Sequence, residues 1–495
     1  MDSQKLDVTE EKIAWSKEAI RKKVKNSESI ALKRHNIDSY ILLDLDKILD
    51  DAYCSFRPVP ADYDTRKELV KNLNAMAIDI YGNSEESSPV LEAYGSFVMD
   101  MYTSQSYLDV SIIFGNGTSE LPHEKKLQIL ERFAEKLRSL EVFTSECNIL
   151  KMILSFIFLP TLFFLVGEGL VRNVVSIFAA RVPIVKFNDQ GTAIDCDVSV
   201  ECKDGILSSQ IIRIISQIDD RFQKLCLLVK RWAKAHGVND ASLQTLNSIS
   251  ITMLVAHHLQ TQNPPILPPF STLFKDGIDP PNVEKRTQKF LNWGGRNQES
   301  LGKLFATFFI KLQSVKVLWK QGLCASVLKG LWISKRRKRA LINVEDFTDV
   351  SNNFSKVVSA RGVEKIYRSI NKTVDDILEF LNGKITGTDL KHSLFEQQTV
   401  VVEPCPPESP LINNGCSQQP HNNKRKEIDG HAEEHHNKRV CLVNEYRAVG
   451  GKGGLVNDGE EPMHVGLWHE YSRSLDLPPP PAPYDKVLYE KFGLD

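Results

Sequence analysis

Two stretches near residue 100 combine the side chains that phosphate chemistry needs. Tyr94-Gly95-Ser96-Phe97-Val98 puts a Gly-Ser turn ahead of Ser106-Tyr107-Leu108-Asp109-Val110-Ser111-Ile112, an apolar strand carrying one carboxylate. Glycine lets a backbone approach phosphate closely, and the serine hydroxyl and neighbouring amides donate to its oxygens. An aspartate on the adjacent strand is suited to holding a divalent metal on the same phosphates. A second acidic strand follows at Ala193-Ile194-Asp195-Cys196-Asp197-Val198-Ser199-Val200, where alternation puts Asp195 and Asp197 on one face. Further on, Lys230 and Lys234 stand four apart in LLVKRWAKAH and so share a helical face. Two ammonium groups there suit a triphosphate as point charges. Singly, each feature has a plain reading: a common turn, a solvated basic face. In this order and spacing they suit nucleotidyl transfer.

The elements that must position these residues follow from apolar periodicity. Residues 92–114 and 174–202 alternate apolar with polar or small residues and are rich in Val, Ile and Phe, which predicts strands. Ile211, Ile214, Ile215 and Ile218, then Leu225, Leu228, Val229 and Trp232, follow helical spacing, which predicts helices over 206–260. Residues 301–333 and 363–381 read as amphipathic or buried helices. The body is therefore an α/β unit to about residue 205 followed by a helical unit to about 395, with no internal repeat. One run fits neither unit: residues 152–167, MILSFIFLPTLFFLVG, carry no charge. A transmembrane helix interrupted by Pro160, a buried core segment and an insertion of non-coding origin are all compatible with it.

YGSFV, YLDVSI, ARVPIVKF, DCDVSV, IDDRFQKLCLLVKRWAKAHGVND, LNSISITMLVAHHLQ and NVEDF with Asn353 downstream together resemble the terminal RNA nucleotidyltransferases of the poly(A) polymerase type. The plant terminal uridylyltransferases are among the members that the chain resembles. The resemblance covers about residues 45–365 apart from the apolar insert. It implies an α+β fold: a β-polymerase-like nucleotidyltransferase palm over 45–205, with the apolar insert at about 142–168, then a helical PAP-associated domain over 206–395. A charged helical extension over 1–44 and a disordered tail over 396–495 flank them. The implied activity adds UMP, or AMP, to an RNA 3′ end from UTP or ATP, using two Mg²⁺ or Mn²⁺ ions. Such ions activate the attacking 3′-hydroxyl and neutralise the phosphate and leaving pyrophosphate. By the matching motifs, Asp109 and Asp197 are the catalytic metal ligands. Gly95, Ser96, Lys230 and Lys234 contact the triphosphate, Ser248 bonds near the nucleotide, and Asn353 belongs to the helical domain's nucleotide-facing motif.

Three positions depart from the family's pattern. The first metal aspartate, two positions before the second, is Tyr107. The aromatic residue that stacks on the base is Ile249, and the ribose-contacting asparagine is Cys202. A phenol does not replace a bridging carboxylate, and an aliphatic side chain forfeits stacking of roughly 1–3 kcal/mol. Asp100 and Asp195 are the nearby carboxylates available as stand-in ligands. Besides the transferase reading, the sequence therefore admits a catalytically degenerate paralogue that binds RNA or protein, and a membrane-tethered RNA-binding protein that depends on residues 152–167.

Composition agrees with a globular body. Of 495 residues, 42% are hydrophobic and 25% charged, which excludes a wholly disordered chain, a collagen-like fibre and a polytopic membrane protein. Nine cysteines without a CxxC pair argue against a disulfide scaffold or zinc finger, and the charged start MDSQKLDVTEEK has no apolar h-region. Cytoplasm, nucleus or both are the expected compartments. The net charge of −1 is an average: residues 396–495 hold 10 basic and 16 acidic side chains, leaving 52 basic and 47 acidic in the body. A net of +5 suits an RNA partner. Lys335-Arg336-Arg337-Lys338-Arg339 is either a phosphate-binding run or a solvated loop. In the tail, Lys424-Arg425-Lys426 with Lys438-Arg439 resembles an import signal, and Pro478–Pro481 is a linker or a ligand for protein modules. His431, His435 and His436 suit weak metal chelation or a solvated tail, while His257-His258 on an apolar helix read as core or surface-edge residues.

Overall fold

The computed structural model describes residues 17–35, 42–82, 88–115, 121–141, 170–335, 337 and 340–396. Three helices come first: α1 (Lys17–His35), α2 (Leu42–Phe56) and α3 (Pro60–Tyr81). Strands β1 (Pro89–Tyr94), β2 (Leu108–Phe114), β3 (Val171–Ile177), β4 (Ile184–Asp189) and β5 (Asp195–Val200) then form one sheet in the order β1-β2-β5-β4-β3. The β2–β5 ladder is parallel and the others are antiparallel. A parallel pair needs a crossover connection. Helix α4 (His123–Ser139), β3 and β4 lie between the two strands in sequence.

Alternation explains why β2 and β5 hold together. Leu108, Val110, Ile112, Cys196 and Val198 are fully buried on the core side. They meet Ile129, Leu130, Phe133, Ala134 and Leu137 of α4, spaced at helical intervals, and Leu69, Leu73, Met76 and Ala77 of α3. The polar residues between them face the opposite side.

The helical unit comprises α5 (Lys203–Ser216), α6 (Asp220–Ala235), α7 (Ser248–Gln260), α8 (Leu301–Ser314), α9 (Ala360–Leu381) and α10 (Gly387–Phe395), with shorter turns between. Asp219, Asn247, Ser300 and Ser359 cap α6, α7, α8 and α9 by accepting from the first-turn amides. Leu45, Leu49 and Ala52 of α2 join the core of this unit, together with Ile20 and Val24 of α1. Thus α2, inside the stretch read as palm, packs with the helices.

Two readings from periodicity are corrected. Residues 301–333 are not helical throughout: α8 ends at Ser314, and β6 (Leu323–Ser326) pairs with β7 (Leu331–Ser334) as a buried hairpin. All four β6 residues are buried, so their apolar run carries no alternation to distinguish it from a helix. Within 92–114, residues 95–107 leave the sheet, starting at Gly95 with φ +72°. The core of the apolar insert, residues 152–167, and the tail from 397 onward lie outside the described residues, and with them the import-like cluster, tail histidines and proline run. Among the described residues no helix is long and apolar enough to cross a membrane.

Candidate active site

Gly95, Ser96, Asp109 and Asp197 gather where β1 ends and β2 and β5 begin, beside the 95–107 loop. Asp109 is the register partner of Asp197 across the parallel ladder and of Tyr94 across the antiparallel one. Register partners project from the same side of a sheet, so the two carboxylates are neighbours. Gly95 covers Asp109 closely: a Cβ at position 95 would stand 2.2 Å from Asp109 Oδ2. Burial, then the charge of Asp197, pushes the Asp109 carboxyl up to about 7, against the pull of Lys230 and Lys186. Burial also raises Asp197, while a hydrogen bond from Lys186 opposes the rise.

Lys186 on β4 is the register partner of Asp197 and donates to its Oδ2 at 2.8 Å. Burial opposes the ammonium charge, but that hydrogen bond and the charge of Asp197 outweigh it and raise Lys186. The motif reading did not assign Lys186 a role. It was present in ARVPIVKF, but its place opposite Asp197 depends on a β4–β5 register that periodicity does not fix.

The Gly-Ser turn is anchored from several sides. Gly95 N donates to Ser209 Oγ at 2.8 Å, Met99 N to Gly95 O at 3.1 Å and Met101 N to Ser96 O at 3.0 Å. Beyond the turn, Arg66 Nη2 donates to the carbonyls of Ser104 (2.8 Å) and Ser106 (3.0 Å), and its guanidinium lies 4.7 Å from the Tyr102 ring centroid. Arg213 Nη1 and Tyr63 Oη both donate to Asp100, and Gln223 donates to its carbonyl. Asp100 is therefore a loop anchor and not a stand-in metal ligand. Asp195 accepts from Asn188 Nδ2 at 3.1 Å, one alternation step farther along β5.

The lysines divide. Lys230 Nζ donates to Met101 O at 2.8 Å and is largely buried, which lowers its ammonium to about 8. It ties α6 to the loop. Lys234 is exposed, its Nζ 4.9 Å from the Tyr107 ring centroid. Ser248, the exposed first residue of α7, pairs with Asn239. Asn353 is 4% exposed. Its Oδ1 accepts from Val344 N (2.9 Å) and Ser355 N (3.0 Å), and its Nδ2 donates to Ile342 O (3.0 Å). It braces the 342–355 loop.

The three departures also have definite places. Tyr107 is 41% exposed, just before β2. Ile249 packs partly buried against the helical core. Cys202 precedes α5, its thiol pushed up by burial and its Sγ 2.8 Å from where a Gly205 Cβ would stand. Lys335 and Arg337 turn inward: Lys335 pairs with Glu345 at 2.6 Å, and both donate to Val350 O. His257 and His258 are core residues, His258 Nε2 lying 3.0 Å from Leu304 O and His257 4.3 Å from the Trp332 ring.

Two mutually repelling carboxylates on one face fit a divalent cation. They do not fit the pair of ions that three aspartates would hold, because Tyr107 adds no carboxylate. No group of three or more His, Cys, Asp or Glu residues suited to a metal occurs among the described residues.

The palm matches a family model described as poly(A) RNA polymerase, mitochondrial-like, central palm domain, over residues 45–154 and 161–217. Protein HESO1 of Arabidopsis thaliana is 29% identical over 378 residues, covering 71% of this chain and 68% of that protein. Poly(A) RNA polymerase GLD2-B of Xenopus laevis is 32% identical over 172 residues, covering 34% of this chain and 32% of that protein. The chain thus spans about a third of that relative. Two solved structures share the fold: mtPAP in complex with ATPγS, with TM-score 0.53, 18% identity and coverage of 74% and 75%, and the Cid1 poly(U) polymerase with MgGTP bound, with TM-score 0.53, 18% identity and coverage of 72% and 99%.

Proposed function

We propose, from the match of residues 45–154 and 161–217 to the poly(A) RNA polymerase palm model and the similarity to HESO1, that this chain adds UMP, or AMP, to an RNA 3′ end. The observation that carries the reading is the in-register pairing of Asp109 with Asp197 beneath the Gly95 turn. The poly(U) polymerase among the fold neighbours and the poly(A) RNA polymerases among the relatives support UTP or ATP as the donor.

In this reading the loop amides after Gly95 and the Ser96 hydroxyl receive the triphosphate, and Lys234 neutralises it from the exposed face of α6. Lys230 acts one step back by fixing Met101. Ser248 lies at the α7 N-terminus, where a donor can reach the nucleotide. Asp109 and Asp197 would hold Mg²⁺ or Mn²⁺, which supplies charge neutralisation at the transferring phosphate when bound. Ser209, Arg66 and Arg213 keep the loop in place over the carboxylates, and with them the geometry that positions reacting groups.

Tyr107 favours a second reading, a palm that binds nucleotide or RNA without transfer, because the position two before Asp109 has no metal-binding oxygen anion. Incubating the purified chain with labelled RNA, each NTP and Mn²⁺ separates the two. Extension by the unmodified chain is the expected result. Extension only by Tyr107→Asp would establish the second reading and name its cause, and extension by neither would remove the transferase reading.

A further inference from the structure

The strand ends differ from a two-ion site in charge as well as in ligand number. Position 107 presents a neutral phenol. Asp197 is already paired with Lys186 at 2.8 Å. The Lys186 ammonium also stands 5.0 Å from the Tyr107 ring centroid, and the Lys234 ammonium stands 4.9 Å from the same centroid. The electron-rich face of a phenol ring attracts cations, so the ring that replaces a carboxylate collects two lysines. Asp240 is within electrostatic reach of Lys234, but its carboxylate accepts from Ser242 and Leu243 of its own loop. Both Lys186 (39% exposed) and Lys234 remain open to solvent. A divalent ion using Asp197 Oδ2 competes with the ammonium held there. A triphosphate meets that ammonium directly, with donors to spare.

We propose that this pocket binds a nucleoside triphosphate without a divalent ion, with Lys186 and Lys234, gathered at Tyr107, supplying the neutralising charge. This deepens the nucleotide reading above and rests on it. Metal is then required by the transfer step and not by nucleotide capture.

The test is equilibrium binding of a non-hydrolysable UTP analogue, with the ATP analogue in parallel, to the full chain in EDTA and in Mg²⁺. The unmodified chain is expected to keep its affinity within about threefold between the two buffers. Lys186→Gln and Lys234→Gln, checked for unchanged thermal melting, each lose about tenfold or more in EDTA. Tyr107→Asp binds poorly in EDTA and recovers in Mg²⁺, because the new carboxylate both recruits the ion and draws the lysines away. Binding by the unmodified chain in Mg²⁺ only would overturn the proposal while leaving the nucleotide reading intact. Full EDTA affinity in Lys186→Gln would overturn the role given to that lysine. Absence of binding in both buffers would remove the nucleotide reading itself, so the two failures are distinct.

Discussion

Asp109 and Asp197 are paired in register on two parallel strands, with Gly95 packed against the first and Lys186 bonded to the second. Burial opposes ionisation of Asp109, and the like charge of Asp197 on the neighbouring strand adds to the opposition. The carboxyl of Asp109 is thereby raised from 3.8 to about 7. Between these values the folded chain keeps a proton that the unfolded chain has released, so stability falls as pH rises through the window. The full cost is present above about pH 7. Asp109→Asn removes it, and in EDTA the variant should melt higher than the unmodified chain at pH 8. The gain should be roughly 2–4 kcal/mol, at about 1.4 kcal/mol for each pH unit of displacement and with allowance for solvent contact. At pH 4 the two should converge. A variant that melts lower at pH 8 would contradict the assignment.

Gly95 has φ +72°, and a Cβ there would overlap Asp109 Oδ2. Gly95→Ala should therefore cost roughly 1–3 kcal/mol from the left-handed backbone, with the clash in addition. Nucleotide binding should be lost alongside. The double variant Gly95→Ala/Asp109→Ser relieves only the clash, so it should be less destabilised than the sum of its single changes. Chemical denaturation of the four chains gives the coupling, and strict additivity would refute the contact.

Arg66 is 1% exposed and its Nη2 supplies the carbonyls of both Ser104 and Ser106. Arg66→Ala leaves two loop carbonyls without their donor and should lower stability by about 3–5 kcal/mol. Arg66→Lys should recover only part, because one ammonium cannot reproduce the planar fork. Urea midpoints rank the three chains. Equal stability of the lysine variant and the unmodified chain would show that charge alone matters at this position.

The alternation in LDVSIIF and DCDVSV made the two carboxylate strands and their shared face legible, because one side of each is buried in the core shared with α3 and α4. Helical spacing likewise marked α5, α6 and α9. Other features were carried by pairings that periodicity does not encode. Lys186 meets Asp197 through the β4–β5 register, and Arg66 on α3 meets carbonyls about 40 residues away. The β6–β7 hairpin was hidden because both its strands are largely buried, which erases the period-two signal. Lys230 and Lys234 shared a face as spacing required, yet one is tied to Met101 O and the other lies open at Tyr107. A helical face specifies direction from its own axis and not what stands opposite.

Asn353 provides a sharp check on the division between brace and ligand contact. Its amide satisfies Val344 N, Ser355 N and Ile342 O inside the loop that leads into α9. Asn353→Ala leaves these buried groups without partners, at about 1–3 kcal/mol for each group that water cannot reach. Stability should fall by roughly 2–4 kcal/mol, while binding of the UTP analogue, measured well below the melting temperature, should change by less than about threefold. Asn353→Asp keeps two acceptor oxygens but loses the donor to Ile342 O, so its stability should fall between the other two. If Asn353→Ala instead abolished nucleotide binding at unchanged stability, the side chain would have to turn toward the cleft when nucleotide is present, as the motif assignment expects.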